Sequence, residues 1–255
     1  MSEPEKVLLM GAGADLVEGE LFEAAPQSPE AEERAGRSVV LVHEVFGLDP
    51  FTRQVARELA AEGYQVLAPD LYSREGLPGP APSADDPAPS WDIDTIRAAA
   101  AGLSDRQAVS DVEGAGKELK RRGASKEGLV VMGFCRGGTL AFLAGCQSRR
   151  FQAVVDFYGR IVYPELSENQ PVQPLEMLLN LGVPLIGHFG SDDPSIPADD
   201  VEALKQGLES SAKTFTLHTY EGGKHGFANP LRPAFDDSHS ASAWNRTHRF
   251  LDEVL

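Results

Sequence analysis

Leu129-Val130-Val131-Met132-Gly133-Phe134-Cys135-Arg136-Gly137-Gly138 is the stretch that decides the fold. Its first four residues are apolar and two are β-branched, which reads as a strand buried on both faces. Gly137–Cys146 reads as the helix after it, so the chain is expected to pass from strand to helix through one tight turn at Cys135. In such a turn the residues two before and two after the apex crowd each other. Gly133 and Gly137 remove the side chains that would clash. The apex residue then adopts a strained backbone at a helix N-terminus, where the dipole favours a thiolate. Gly-x-Cys-x-Gly between a strand and a helix is the spacing of a nucleophile elbow, with cysteine in place of serine. The alternative is a buried structural cysteine ahead of a glycine-rich helix start.

Outward from this point, strands and helices alternate. Ser38–Val42 is a continuous apolar strand, and Tyr64–Ala68, Ala153–Tyr158, Pro184–Phe189 and Thr214–Tyr220 read likewise. Phe51, Val55 and Leu59 recur at spacing four, one face of a helix ending near Gly63. Gln107–Arg122, Ala198–Leu208 and Ser240–Leu255 are further expected helices. Val7–Glu23 reads as an edge hairpin or meander, and Ala24–Arg37 as an exposed loop. Ser73–Ser90 is rich in Pro, Gly, Ser and Asp and cannot be a core element. Residues 73–106 are therefore expected to hold a lid loop. The pattern predicts a single α/β domain over residues 1–255, with a mostly parallel central sheet and helices on both faces. With the elbow, that is an α/β-hydrolase fold. No internal repeat is visible.

The 255 residues carry 23 Lys and Arg against 39 Asp and Glu, a formal charge of −16. That field repels phosphate backbones and anionic membranes, so neither nucleic acid nor a membrane is an expected partner. No apolar run reaches membrane-spanning length. Two cysteines, Cys135 and Cys146, and an N-terminus without a basic region and apolar run point to a reducing, cytoplasmic location. A monomer or weak dimer is expected. Gly11-Ala12-Gly13 resembles the start of a dinucleotide loop, but the third glycine and the following helix are missing, so no cofactor is expected.

A nucleophile needs a base. Of the six histidines, His225 is best placed, in Glu221-Gly222-Gly223-Lys224-His225-Gly226-Phe227, just after the last strand. Chain order in this fold is nucleophile, acid, histidine. His43, His188 and His218 lie in or beside strands and read as structural; His239 and His248, near the C-terminal helix, read as solvated. The acid should follow a strand between Cys135 and His225. Gly190-Ser191-Asp192-Asp193-Pro194 does so, and either aspartate could orient the imidazole. Paired aspartates also raise a metal, but no histidine or third carboxylate stands at ligand spacing, so none is expected.

Taken in order, His43-Glu44-Val45-Phe46-Gly47, Ala68-Pro69-Asp70-Leu71-Tyr72-Ser73-Arg74, the Cys135 elbow, the Asp193 turn and the His225 loop resemble the dienelactone hydrolase (carboxymethylenebutenolidase) family. The likeness runs from about Ser38 to the C-terminus. It implies that Asp193, rather than Asp192, is the acid. It implies that Glu44 contacts the resting thiol, and that the backbone N–H groups of Val45 and Arg136 form the oxyanion hole. Arg74 would bind a substrate carboxylate. Asn229 stands where the family carries a second arginine, and Arg136 replaces an apolar residue common in the elbow. Trp91, in the lid, and Tyr158, at a strand end near the elbow, are candidate pocket residues or plain packing. Cys146 reads as a small buried hydrophobe.

The expected activity is cysteine-dependent hydrolysis of a small ester or lactone through a Cys135–His225–Asp193 triad and a thioester. Rivals on the same fold are a carboxylesterase, a thioesterase or a peptidase. A rival of another class is a non-catalytic binding or redox-sensing protein.

Overall fold

Every residue of strand β3 (Ser38–Val42) is buried, because the strand lies inside the sheet with a partner on each side. It pairs in parallel with β4 (Gln65–Pro69) and with β5 (Leu129–Phe134). From β5 the parallel register continues through β6 (Ala153–Phe157) and β7 (Leu185–Gly190) to β8 (Phe215–Tyr220). At the other end β2 (Leu16–Phe22) joins β4 antiparallel and carries β1 (Glu5–Met10) on its outer edge. The structure is a computed structural model and describes residues 3–11, 13, 15–73 and 93–255. Among these the strands form one eight-stranded sheet in the order β1-β2-β4-β3-β5-β6-β7-β8, an α/β-hydrolase fold.

The helices are α1 (Pro29–Glu32), α2 (Pro50–Ala61), α3 (Ile93–Gly102), α4 (Asp105–Arg121), α5 (Arg136–Gln147), α6 (Ala198–Ser210) and α7 (Asp237–Val254), with a 3₁₀ segment at Pro174–Asn180. Asp49 caps α2 by accepting the Thr52 N–H at 2.8 Å, and Pro50 occupies the first turn, where its missing N–H costs nothing. Phe134 of β5 and Phe157 of β6 stack at 4.5 Å and meet Phe51 of α2 and Trp244 of α7 on one face of the sheet. Side chains alternate along a strand, so Gly133 faces the other side, where α5 packs. Arg122, the C-cap of α4, ties that end of the helix to β1 through Glu5 at 2.7 Å.

The lid boundary is corrected. Residues 93–102 are helical rather than loop, with Ile96 and Ala99 buried, and residue 105 already belongs to α4. The run of alanines from Ala98 to Ala101 favours helix, and Ala99 joins the core. Residues 74–92 lie outside the described residues, as do Arg74 and Trp91. The loop expected over Ala24–Arg37 contains the one-turn α1. Among the described residues no helix is long and apolar enough to cross a membrane.

Candidate active site

Cys135 is the apex of the turn between β5 and α5, with φ 55° and ψ −120°. A side chain is forced into this region only where its surroundings over-determine it. Here a Cβ on Gly133 would strike the Gly137 carbonyl, and one on Gly137 would strike the carbonyls of Val42 and His43. The Cys135 N–H donates to the Phe157 carbonyl at 2.9 Å, pinning the turn to β6.

His225 comes from the loop after β8. Its Nε2 lies 3.1 Å from Cys135 Sγ, and its Nδ1 lies 2.7 Å from Asp193 Oδ2. The carboxylate acceptor puts a proton on Nδ1 and turns Nε2 to the thiol. The loops after β7 and β8 come close enough for this because Gly190 leaves room for the Gly223 backbone. Asp193 is buried and accepts the Ser195 N–H at 2.7 Å through its other oxygen. Asp192 is exposed, and among the described residues its side chain hydrogen-bonds only Ser191. Burial alone disfavours the imidazolium of His225. The electrostatic interaction with Cys135 and the hydrogen bonds to Asp193 and Cys135 outweigh it and hold the pKa up to about 11.

Glu44 is buried on the loop after β3. Among the described residues its carboxylate takes hydrogen bonds from Asn229 Nδ2 at 2.9 Å and Tyr158 Oη at 3.4 Å, rather than from the Cys135 thiol. The thiol contact implied by the resemblance is thus replaced here: Sγ turns to the imidazole, and the asparagine holds the carboxylate. Burial first, then the charge of Asp49, pushes the Glu44 pKa up to about 7, against Arg232, Asn229 and His225. Tyr158, a candidate for the pocket wall, is fully buried. Its φ of 44° turns it inward, ring edge-on to His225 at 5.3 Å.

These groups open onto a cavity of about 600 Å³ whose wall includes Cys135, His225, Glu44 and Val45. Arg136 is the first residue of α5, where a backbone N–H has no helical acceptor. Among the described residues neither that N–H nor the one of Val45 has a hydrogen-bond partner. The Arg136 side chain points elsewhere in the wall: it pairs with Asp105 at 2.6 Å and donates to Tyr163 Oη at 2.8 Å. Arg160 and Arg232 also line the cavity. Arg160 has no ion-pair or side-chain hydrogen-bond partner among the described residues, whereas Arg232 sits between Glu44 and Asp49.

The other histidines are accounted for by packing. His43 accepts the Leu71 N–H on Nε2 at 3.1 Å, so Nδ1 donates to the Glu44 carbonyl at 2.6 Å. His188 bridges Tyr220 and Thr247, and His218 is bonded by Arg246. His239 and His248 are half-buried rather than solvated, against Tyr220 and Trp244 respectively. Cys146 is buried. Among the described residues no group of three or more His, Cys, Asp or Glu is placed to hold a metal. Sequence reasoning missed Asp105, Arg160, Tyr163 and Arg232, which carry no motif of their own; proline on either side of Leu231-Arg232 was the only local hint of a built loop.

Comparison with known proteins shows which family the chain is similar to. The model of the dienelactone hydrolase family matches residues 22–255. A "Putative carboxymethylenebutenolidase" of Salmonella typhimurium is 30% identical over 244 residues, covering 95% of this chain and 87% of that one. A "Probable 2-oxo-3-(5-oxofuran-2-ylidene)propanoate lactonase" of Bradyrhizobium is 29% identical and covers 84% and 82%. Among solved structures, a "Putative Dienelactone Hydrolase" from Klebsiella pneumoniae superposes with a TM-score of 0.83 at 26% identity, covering 98% of each chain.

Proposed function

Because the chain belongs to the dienelactone hydrolase family and is a hydrolase acting on a lactone or ester, we propose that it works through a Cys135–His225–Asp193 triad and a thioester acyl-enzyme. The observation that carries the reading is the relay from Sγ to Nε2 at 3.1 Å and from Nδ1 to Asp193 at 2.7 Å, in the wall of a cavity. Cys135 Sγ attacks the carbonyl carbon of the substrate. The C–S bond forms, and the oxygen takes the negative charge, received by the N–H groups of Val45 and Arg136. Collapse breaks the C–O bond. The proton that the Cys135 thiol passed to His225 Nε2 goes to the leaving alkoxide, or to solvent where an enolate keeps its charge, and the imidazole is free to act as base. Water then gives a proton to His225 and its oxygen to the carbonyl, the C–S bond breaks, and the carboxylic acid leaves. A thiolate suits esters and enol lactones, whose leaving groups are good, better than amides.

Arg160, in the cavity wall and without an ion-pair partner within salt-bridge distance among the described residues, supports a substrate bearing an anionic group, alongside the Arg74 inferred from the resemblance. A chain with two free thiols and an excess of acidic residues fits a single-domain enzyme of the cytoplasm, monomeric or weakly dimeric. The test is pre-steady-state hydrolysis of p-nitrophenyl acetate. A burst equal to the enzyme concentration, absent in Cys135→Ala, is expected. A non-catalytic binding protein gives no burst, and a nucleophile elsewhere leaves the Cys135→Ala burst intact.

A further inference from the structure

Glu44, Phe46 and Asp49 belong to one seven-residue loop, His43 to Asp49, that also carries Val45. All three meet the same side chain. Arg232 Nε lies 3.8 Å from Glu44 Oε2, its Nη2 lies 3.9 Å from Asp49 Oδ2, and its guanidinium carbon stands 3.4 Å from the centre of the Phe46 ring. The two carboxylates are only 3% and 2% exposed, and each would repel the other's charge. A cation over an aromatic face gains further attraction when shielded from water. Arg232 itself is carried by the His225 loop, closed on itself by the bonds from Asn229 N–H to the Gly226 carbonyl and from Arg232 N–H to the Asn229 carbonyl, each 3.0 Å.

We propose that Arg232 is the positioning residue of the oxyanion loop: by holding Glu44, Asp49 and Phe46 together it fixes the Val45 N–H against Cys135 and locks that loop to the one bearing His225. The inference rests on the reading of Cys135 and Val45 given above. Its physical basis is that an oxyanion donor acts by being fixed in advance, and that a shift of about 1 Å at a reacting centre costs on the order of a hundredfold in rate. Arg232 does not act on the thiol, whose partner is His225. Nor is it Arg160, which has no ion-pair partner within salt-bridge distance among the described residues.

The test compares Arg232→Met, Arg232→Lys and the double variant Arg232→Met/Asp49→Asn with the native protein on p-nitrophenyl acetate, a neutral ester. Arg232→Met should lower the acylation rate constant by about tenfold or more, while the substrate dissociation constant, read from the concentration dependence of the burst rate, stays close to native. Alkylation of Cys135 by iodoacetamide needs the thiolate but no oxyanion hole, and should keep its native rate. Arg232→Lys restores a cation between the carboxylates and should recover much of the loss. Asp49→Asn keeps the α2 cap and removes one of the two facing charges, so the double variant should be faster than Arg232→Met alone. Native acylation in Arg232→Met overturns the proposal. So does alkylation falling in parallel, or a loss seen only as raised KM for an anionic ester, or a double variant no faster than the single. A Cys135→Ala protein that still acylates overturns the underlying nucleophile reading and this one with it. An inert Cys135→Ala beside an unimpaired Arg232→Met overturns this one alone.

Discussion

Asn229 donates its side-chain amide to Glu44 across 2.9 Å, at a position where the family resemblance leads one to expect an arginine. The chain thus places at this position a neutral donor buried against a carboxylate. A hydrogen bond to the charged form lowers a carboxyl pKa, so its loss raises it. The titratable groups facing Glu44 are Asp49 on its own loop, Tyr158 after β6, Cys135 at the elbow, and His225 and Arg232 on the last loop. With Glu44 near 7 in the native protein, Asn229→Ala should move the Glu44 midpoint in the pH profile of kcat/KM upward by about half a unit or more. The midpoint belongs to Glu44 if Glu44→Gln abolishes it. No movement in Asn229→Ala would show that the amide does not set the carboxylate's charge.

The two thiols should differ sharply in reactivity. Burial pushes Cys146 up to about 12, slightly offset by Lys213, and the side chain is 8% exposed. At pH 8 iodoacetamide should label one thiol per folded chain, at Cys135, and none in Cys135→Ala. Peptide mapping reads the site directly. Labelling of Cys146 in the folded protein at a comparable rate would contradict the burial argument.

Adjacent aspartates should have unequal effects. Asp193 orients the imidazole and is buried, while Asp192 is exposed. Asp193→Asn reverses the proton on Nδ1 and should lower kcat by roughly 10³–10⁴. Asp192→Asn should stay within about threefold, as for most surface changes. Steady-state kinetics on one ester decides it; comparable losses would mean that the two carboxylates share the role.

Asp156 predicts a pH dependence of stability. It is buried, its Oδ1 accepts the Gly159 N–H at 2.7 Å, and its Oδ2 has no partner among the described residues. Burial, against the Gly159 bond and the His225 charge, pushes its pKa from 3.8 up to about 7. Between those values the folded chain holds a proton that the unfolded chain has released. Stability therefore falls as pH rises through that window and levels off above it. Asp156→Asn should flatten the fall by on the order of 2–4 kcal/mol, seen in urea denaturation at pH 4.5 and pH 8. An unchanged difference between the two pH values would show that Asp156 ionises freely.

What the sequence by itself determined was whatever depends on near neighbours in the chain. The elbow was legible because the steric demand of a one-residue reversal falls on Gly133 and Gly137 within five residues. The central strands were legible because a strand buried on both faces needs an unbroken apolar run, as Ser38–Val42 shows. The order of Cys135, an aspartate pair and His225 along the chain followed from the same local signals. Helix α3 escaped because the Pro- and Gly-rich stretch before it hid its start, and its evidence is tertiary: Ile96 is buried, and Ala99 joins a core assembled from distant strands. Only the tertiary structure decided which partner each polar group takes. Asn229 and Glu44 are 185 residues apart, and Asp105 and Arg136 are 31 apart. Neither pair leaves a periodic or spaced trace. A buried charge is satisfied by whatever donor the sheet brings within about 3 Å; that distance is set by the crossing of loops at the strand ends, which no single segment encodes.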